Sequence, residues 1–338
     1  MDRTQIVALI VPTQPARDAK SPSGAADPFA PIAGKSILGW IVDAALGASV
    51  RRIGILADEP MATTRSELYA RADDALIEFV TPGSDLAESM AFAIERLGSE
   101  LTLRDAVHVL ILPAEAPHID PAELRALIDN HLDSNSAATL IGGPSGEDIE
   151  TEPIIVRDDE GRVTSIVDAP ISDVGVLCVR ASLLAPALRR VAMTPWQTGA
   201  PLSQIAGVLE ELGHKVTVVS RHEPLGTIWS SASRTPIEIE LRDRIITSWI
   251  DRGAVMPDPR QVSIDATVVL GQGVQILPGS VVEGTTVVAD GAIIGPNTHL
   301  VNASIGTGAI VPHSVVYEAE VAAREQVPPF SVLGSATR

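Results

Sequence analysis

The sequence predicts an α/β domain with a largely parallel sheet, followed by a left-handed parallel β-helix of hexapeptide repeats. Three observations carry this prediction. Short apolar runs alternate with helical periodicities through the first two thirds of the chain, a long amphipathic stretch follows, and a six-residue aliphatic period occupies the last part.

Residues 6–11 (IVALIV) and 53–57 (IGILA) are apolar runs of the kind found in buried strands, and SILGWIVDAALGA between them has helical spacing and ends near glycine. The alternation continues through helix-like DLAESMAFAIERL (85–97), strand-like VHVLILP (107–113) and helix-like DPAELRALIDNHL (120–132). In the last of these Asp120 is placed to cap and Pro121 to open the helix. AATLIGG, EPIIVRD, GRVTSIVD, DVGVLCVR and HKVTVVSR add further strands, and this order indicates an α/β layered domain over residues 1–228. Ligands of open α/β sheets bind beyond the carboxyl ends of the strands, which directs attention to the loops after Val11 and Leu112. The first of these, PTQPARDAKSPSGAADPFAP, has a composition that suits a ligand loop and a plain surface loop equally.

Residues 236–250 place Ile237, Leu241, Ile245 and Trp249 on one helical face opened by Pro236, and DRGAVMPDP then breaks the pattern. Residues 229–260 therefore form a connecting arm and linker. From there the aliphatic positions Ile264, Leu270, Ile276, Val282, Val288, Ile294 and Leu300 fall at a strict period of six. A β-helix needs one inward aliphatic residue per face and small or polar residues at its corners. Gly273, Gly279 and Gly291 supply the turns. After Leu300 the register slips, resuming at Ile305 and Val311 and again at Val321, Val327 and Leu333, so that residues 261–338 hold about four coils.

The 338 residues are 45% hydrophobic and 20% charged, which excludes a chain dominated by disorder. With 25 Lys+Arg against 43 Asp+Glu the formal charge is -18, so the surface repels phosphate backbones and anionic lipid, and neither nucleic acid nor membrane is expected as a partner. Ile6–Val11 is far shorter than the roughly 20 residues of a membrane span. It also lacks a following cleavage site. The single cysteine, Cys178, excludes an intrachain disulfide and a thiolate metal cluster, and a cytoplasmic location is expected.

The order of these parts resembles the bifunctional GlmU family, whose members join a UDP-N-acetylglucosamine pyrophosphorylase domain to a β-helix glucosamine-1-phosphate acetyltransferase. The resemblance is carried by the first strand, PFAPIAGKSILGWIVDAA, ILPAEAPHIDPAELRALIDNH, DEGRVTSIVDAP followed by VGVLCVRASLL, and PLSQIAGVLEELGHKV. It implies a nucleotidyltransferase-like, Rossmann-like α/β domain, a nucleotide or nucleotide-sugar ligand, and a homotrimer through the β-helix.

The family's chemical motifs are replaced at matched positions. Its first two loop glycines, which let backbone N–H groups approach phosphates, fall at Thr13 and Pro15, and Pro15 has no N–H to donate. Arg17 matches the family arginine, whereas the Pro-Lys pair falls at Ala26-Asp27, leaving Lys20 or Lys35 as substitutes. The magnesium aspartate of G-D-x-P-L becomes Glu115, and glutamate remains a competent oxygen ligand. The second metal ligand, an asparagine, falls near Trp229 or Ser230, and ETEPIIVRD stands where the family has G-Y-G-R. Asp168 takes the place of a family glutamate, and His313 occupies a coil corner.

Arg17 and Lys20 are thus the remnant candidates for nucleotide binding and Glu115 for metal binding, with Asp168 and His313 as weaker candidates and no assigned catalytic residue. One expectation is a degenerate regulatory or scaffolding paralogue in nucleotide-sugar and cell-wall precursor metabolism. The alternative is an active magnesium-dependent sugar-1-phosphate nucleotidyltransferase with an atypical phosphate loop. A third is an acyltransferase using His313 as general base.

Overall fold

The computed structural model describes residues 6–12, 27–57, 68, 75–81, 83, 86–98, 107–142, 154–157, 163–167, 176–192, 202–220, 226–228 and 230–334. It divides into two compact units, Met1–Ala30 with Ile37–Arg234, and Pro31–Ser36 with Thr235–Arg338. Among the described residues no helix is long and apolar enough to cross a membrane.

In chain order the first strands are β1 (Ile6–Val11), β2 (Pro31–Ile32), β3 (Lys35–Ser36), β4 (Arg52–Leu56), β5 (Leu76–Val80), β6 (His108–Pro113), β7 (Ala138–Gly142), β8 (Ile154–Arg157), β9 (Val163–Val167), β10 (Leu177–Arg180) and β11 (Val216–Ser220). The main sheet of the first unit runs β11-β7-β10-β6-β1-β4-β5. It is parallel except for β10, which is antiparallel to both neighbours. All six residues of β1 are buried, as are all six of β6, which explains why β1 and residues 109–113 of β6 read as apolar runs rather than alternating ones. Helices Leu86–Gly98, Ala181–Ala192 and Leu202–Glu211 contribute Met90, Leu97, Leu184, Leu188, Ile205 and Leu209 to one core with Val7, Leu9, Val109 and Ile111. Helix Pro121–Asp133 starts as expected, the Asp120 carboxylate accepting the Ala122 N–H at 2.6 Å.

A buried polar chain crosses the other end of this sheet. The rings of His108 and His131 meet at 2.9 Å (Nδ1 to Nε2), His131 Nδ1 lies 2.9 Å from Thr139 Oγ1, and Thr139 Oγ1 lies 2.8 Å from Thr217 Oγ1. Protonating both rings would set two N–H groups against each other inside the core. Burial, then the charges of His108 and Arg180, lower the His131 pKa from 6.5 to about 3. Burial, then Arg180, lower that of His108 as well.

Helix Ser231–Asp251 begins earlier than the sequence suggests, so Pro236 lies inside it instead of opening it. The reason is a reciprocal cap: the Ser230 Oγ accepts the Ser233 N–H at 3.2 Å and the Ser233 Oγ accepts the Ser230 N–H at 3.0 Å. Beyond it, short parallel strands stack into three sheets of five, four and three strands, forming a parallel β-helix. The seven hexad positions from Ile264 to Leu300 all point inward and are buried.

The register slip has a local cause. In most six-residue steps the corner is turned by a left-handed residue three places after the inward one, such as Gly279 or Asn297. The steps Leu300–Ile305, Val311–Val316 and Val316–Val321 are one residue shorter and turn at Asn302, His313 and Glu318, with φ of 49°, 46° and 46°. Val316, fully buried, is therefore an inward position that a strict period of six passes over. Corner polar groups also serve the neighbouring coil: Asp290 Oδ1 accepts the Gln272 N–H at 2.8 Å and Asn302 Oδ1 accepts that of Thr285 at 3.0 Å.

Two expectations follow from these features. His131 has a folded-state pKa below its unfolded value, so the unfolded chain takes up the proton first. The associated stability is complete above about pH 7 and is lost as pH falls from 6.5 toward 3. At pH 5 one such group removes about 2 kcal/mol. Urea unfolding at pH 7 and pH 5 should show this loss, and His131→Gln should flatten it. At the corner, His313→Val should cost roughly 1–2 kcal/mol because a β-branched residue is strained at positive φ, whereas His313→Gly should cost nothing. Equal losses in chemical denaturation would mean that the ring, and not the corner, is what matters.

Candidate functional site

The carboxyl ends of β1 and β6 are tied together by the Ala114 N–H, which donates to the Val11 carbonyl at 3.0 Å. The two strand ends that lead into the loops singled out in the sequence are therefore adjacent. The turn after β6, residues 114–119, is buried throughout, with Glu115 at 6% exposure and His118 at 2%. Its position is set from both sides. Helix Pro121–Asp133 begins immediately beyond it, and the Glu115 carbonyl accepts the Ile228 N–H at 2.9 Å. That bond sets Gly226–Ile228 alongside Glu115, so the two stretches aligned with the family's metal ligands are neighbours in space.

The second donor is not supplied by Ser230. Its hydroxyl is engaged in the cap of the following helix through Ser233, as described above. Trp229, the other aligned position, lies outside the described residues. Among the described residues no three His, Cys, Asp or Glu side chains come together as a metal-binding group. Glu115 is a hard oxygen donor suited to magnesium. The described residues nevertheless do not reproduce a two-ligand magnesium clamp.

On the phosphate side the informative residue is Asp27. Its Oδ1 accepts the Phe29 N–H at 2.9 Å and its carbonyl accepts the Ala30 N–H at 2.9 Å, so the carboxylate closes an Asx turn at Pro28-Phe29. This is the position that the resemblance assigns to a phosphate-binding lysine. A carboxylate there carries the opposite charge to the lysine of that alignment. The turn was legible as an Asp-Pro signature, but reading the segment only against the family's Pro-Lys pair passes over it.

Thr13, Pro15, Arg17, Lys20 and Asp168 lie outside the described residues. Lys35 stands in the hairpin that belongs to the second unit. His313 occupies a corner column in which each left-handed residue follows a proline, Pro278-Gly279, Pro296-Asn297, Pro312-His313 and Pro329-Phe330. Its N–H donates to the Pro296 carbonyl at 2.9 Å, its own carbonyl accepts the Phe330 N–H at 2.9 Å, and its ring stacks on Phe330 with centroids 5.5 Å apart. These bonds describe a rung of the β-helix. The buried His108–His131 pair, which sequence reading did not single out, lies in the core at the opposite ends of the strands and serves packing and hydrogen bonding there.

No family model matches the chain. Among curated proteins, the bifunctional protein GlmU of Streptomyces avermitilis is 29% identical over 321 residues, covering 91% of this chain and 65% of the relative. The GlmU of Desulfitobacterium hafniense strain Y51 is 30% identical over 241 residues, 68% of this chain and 53% of the relative. That of Streptomyces coelicolor is 27% identical over 320 residues, 91% of this chain and 65% of the relative. The chain thus spans between about half and two thirds of the length of these relatives. With the α/β unit, the β-helix and the similarity running across both, the chain is a member of the GlmU-like family.

Proposed function

We propose that this GlmU-like protein serves nucleotide-sugar and cell-wall precursor metabolism as a catalytically degenerate, regulatory or scaffolding paralogue. The observation that carries the proposal is the Asp27 turn. A carboxylate stands where a nucleotidyltransferase of this kind places the cation that draws charge away from the triphosphate, and its Oδ1 is committed to the Phe29 N–H. Phosphoryl and nucleotidyl transfer depend on positioning and charge neutralisation more than on covalent chemistry, so inverting this charge weakens the step that matters most. The cap role of Ser230 supports the same reading, since it removes a donor from the metal side.

Binding of a nucleotide or nucleotide sugar without turnover fits such a protein, and so does a cytoplasmic homotrimer assembled through the β-helix. The outward residues Val269 and Val287, 51% and 45% exposed on neighbouring strands of one sheet, give that face an apolar surface suited to a second copy. Sedimentation should return three times the mass of the chain.

The second reading, an active magnesium-dependent sugar-1-phosphate nucleotidyltransferase, has one observation in its favour: the Ile228 N–H donates to the Glu115 carbonyl, which brings the chain just before the second aligned position beside Glu115. Calorimetry with UTP and UDP-N-acetylglucosamine, with and without magnesium, and a pyrophosphate-release assay over several sugar 1-phosphates separate the two. Under the degenerate reading no turnover is found and Glu115→Gln leaves nucleotide binding unchanged. Robust turnover that Glu115→Gln abolishes would establish the active one. Asp27→Asn keeps the Asx turn and removes the charge, so UTP should bind several-fold more tightly with little change in stability. Unchanged affinity would remove Asp27 from the explanation.

A further inference from the structure

Within the first unit, the buried histidine pair belongs to a longer hydrogen-bonded chain that returns to the end of helix Pro121–Asp133, and the direction of that chain can be worked out. A serine or threonine hydroxyl has one proton to give, although it can accept two. The direction is forced at Ser134, whose Oγ lies 3.4 Å from the His131 carbonyl, because a carbonyl can only accept. At the 2.7 Å contact with Ser136 Oγ, Ser134 is then the acceptor and Ser136 the donor. With its proton used there, Ser136 accepts from Thr217 at 3.2 Å, and Thr217 in turn accepts from Thr139 at 2.8 Å.

Thr139 has no proton left for His131 Nδ1, 2.9 Å away, so Nδ1 carries the hydrogen and donates. The other nitrogen of a neutral imidazole is an acceptor, and His131 Nε2 accordingly accepts from His108 Nδ1–H at 2.9 Å. His108 Nε2 remains as the basic nitrogen at the far end of the chain. Among the described residues it has no hydrogen-bond partner, and His108 keeps 9% of its surface exposed.

The charged groups around the chain lie mostly at the helix end. From β10, Arg180 donates to the Ser136 carbonyl at 3.1 Å and to the Asn135 carbonyl at 2.6 Å, and Lys215, just ahead of β11, donates to the Ser134 carbonyl at 2.8 Å. Cys178 of β10 pairs with Thr139 and is held as a neutral thiol by burial. β7 carries no charged side chain, and β6 none besides His108. Asp129 and Asp133 of the helix itself are exposed, and Asp43 of helix Ile37–Gly47 is half-buried. The charges that act on the rings are those of Arg180 and, at His131, of His108.

We propose that the chain runs one way, from His108 through His131 and the hydroxyls to the helix end, and that it is a brace built to survive one proton and to break on the second. The first proton enters at His108 Nε2 and leaves every bond in place. The second must enter at His131 Nε2, which turns that nitrogen from acceptor to donor against His108 Nδ1–H and parts the two rings. The helix held in this way is the one that Asp120 opens beside the Glu115 turn, so its far anchor persists through the first protonation.

Long-range proton–nitrogen NMR of the full chain with isotope-labelled histidine reads the tautomers, with the two rings assigned through His108→Gln and His131→Gln. Near neutral pH both rings should be Nδ1–H tautomers. As the pH falls, His108 should take the first proton while His131 Nε2 stays unprotonated, and the Ser136 amide should keep its protection from hydrogen exchange. Thr139→Val removes the acceptor of the His131 Nδ1–H, so both rings should switch to the Nε2–H form. An Nε2–H tautomer at His131 in the unsubstituted protein would overturn the proposal, and so would a first proton on His131. Unchanged tautomers in Thr139→Val would overturn it as well, since the hydroxyls would then not set them. If Thr139→Val does not fold, the tautomers and the first protonation of the unsubstituted protein decide the matter.

Discussion

β1 is hydrogen-bonded along both edges and buried on both faces, between β4 and β6, and the first unit is arranged around that constraint. A strand in this situation cannot carry a polar side chain without a buried partner, so its sequence is uniformly aliphatic. At its carboxyl end the chain leaves the sheet beside the end of β6. The bond from Ala114 to Val11 then ties the ends of β1 and β6 together. Glu115, the Asp120 cap and Gly226–Ile228 all take their positions from that junction.

The second unit obeys a different constraint. Each corner of the β-helix must reverse the chain within a few residues, and in nearly every case it does so with one residue in the left-handed region. Glycine is the cheapest solution, but Asn297, Asn302, His313, Glu318, Arg324 and Phe330 take the same role. This explains why a histidine that might suggest chemistry stands in the column Pro-Gly, Pro-Asn, Pro-His, Pro-Phe. Its backbone conformation and its two backbone hydrogen bonds account for its position, and the ring follows.

Substitution in this family member is a matter of charge and commitment as much as of missing motifs. Asp27 stands at the position aligned with a family lysine and closes an Asx turn, and Ser230, near the aligned asparagine, holds a helix end. Both duties are local, since each residue has a backbone N–H that depends on it. The buried histidine pair shows the other side of the same physics. Away from the loops after β1 and β6, burial first and then the charge of Arg180 lower the pKa of both rings, His108 adding to the effect on His131, so the shifts reflect packing in the core.

Read alone, the sequence determined the strands of the main sheet other than β5, the Asp120-Pro121 helix start, and the six-residue period of the β-helix, because each depends on a local pattern of burial or capping. It also showed which family motifs are replaced, since that requires only order and spacing. It did not reveal β5, whose LIEFV mixes exposed and buried positions, nor the early start of the arm helix, where a serine cap outweighed the proline. The pairing of His108 with His131, the meeting of Glu115 with Ile228 and the seating of Gly34 against Asp265 were decided by tertiary structure alone. These contacts join residues 23, 113 and 231 positions apart, and no periodicity along the chain encodes which distant backbone will arrive at a given turn.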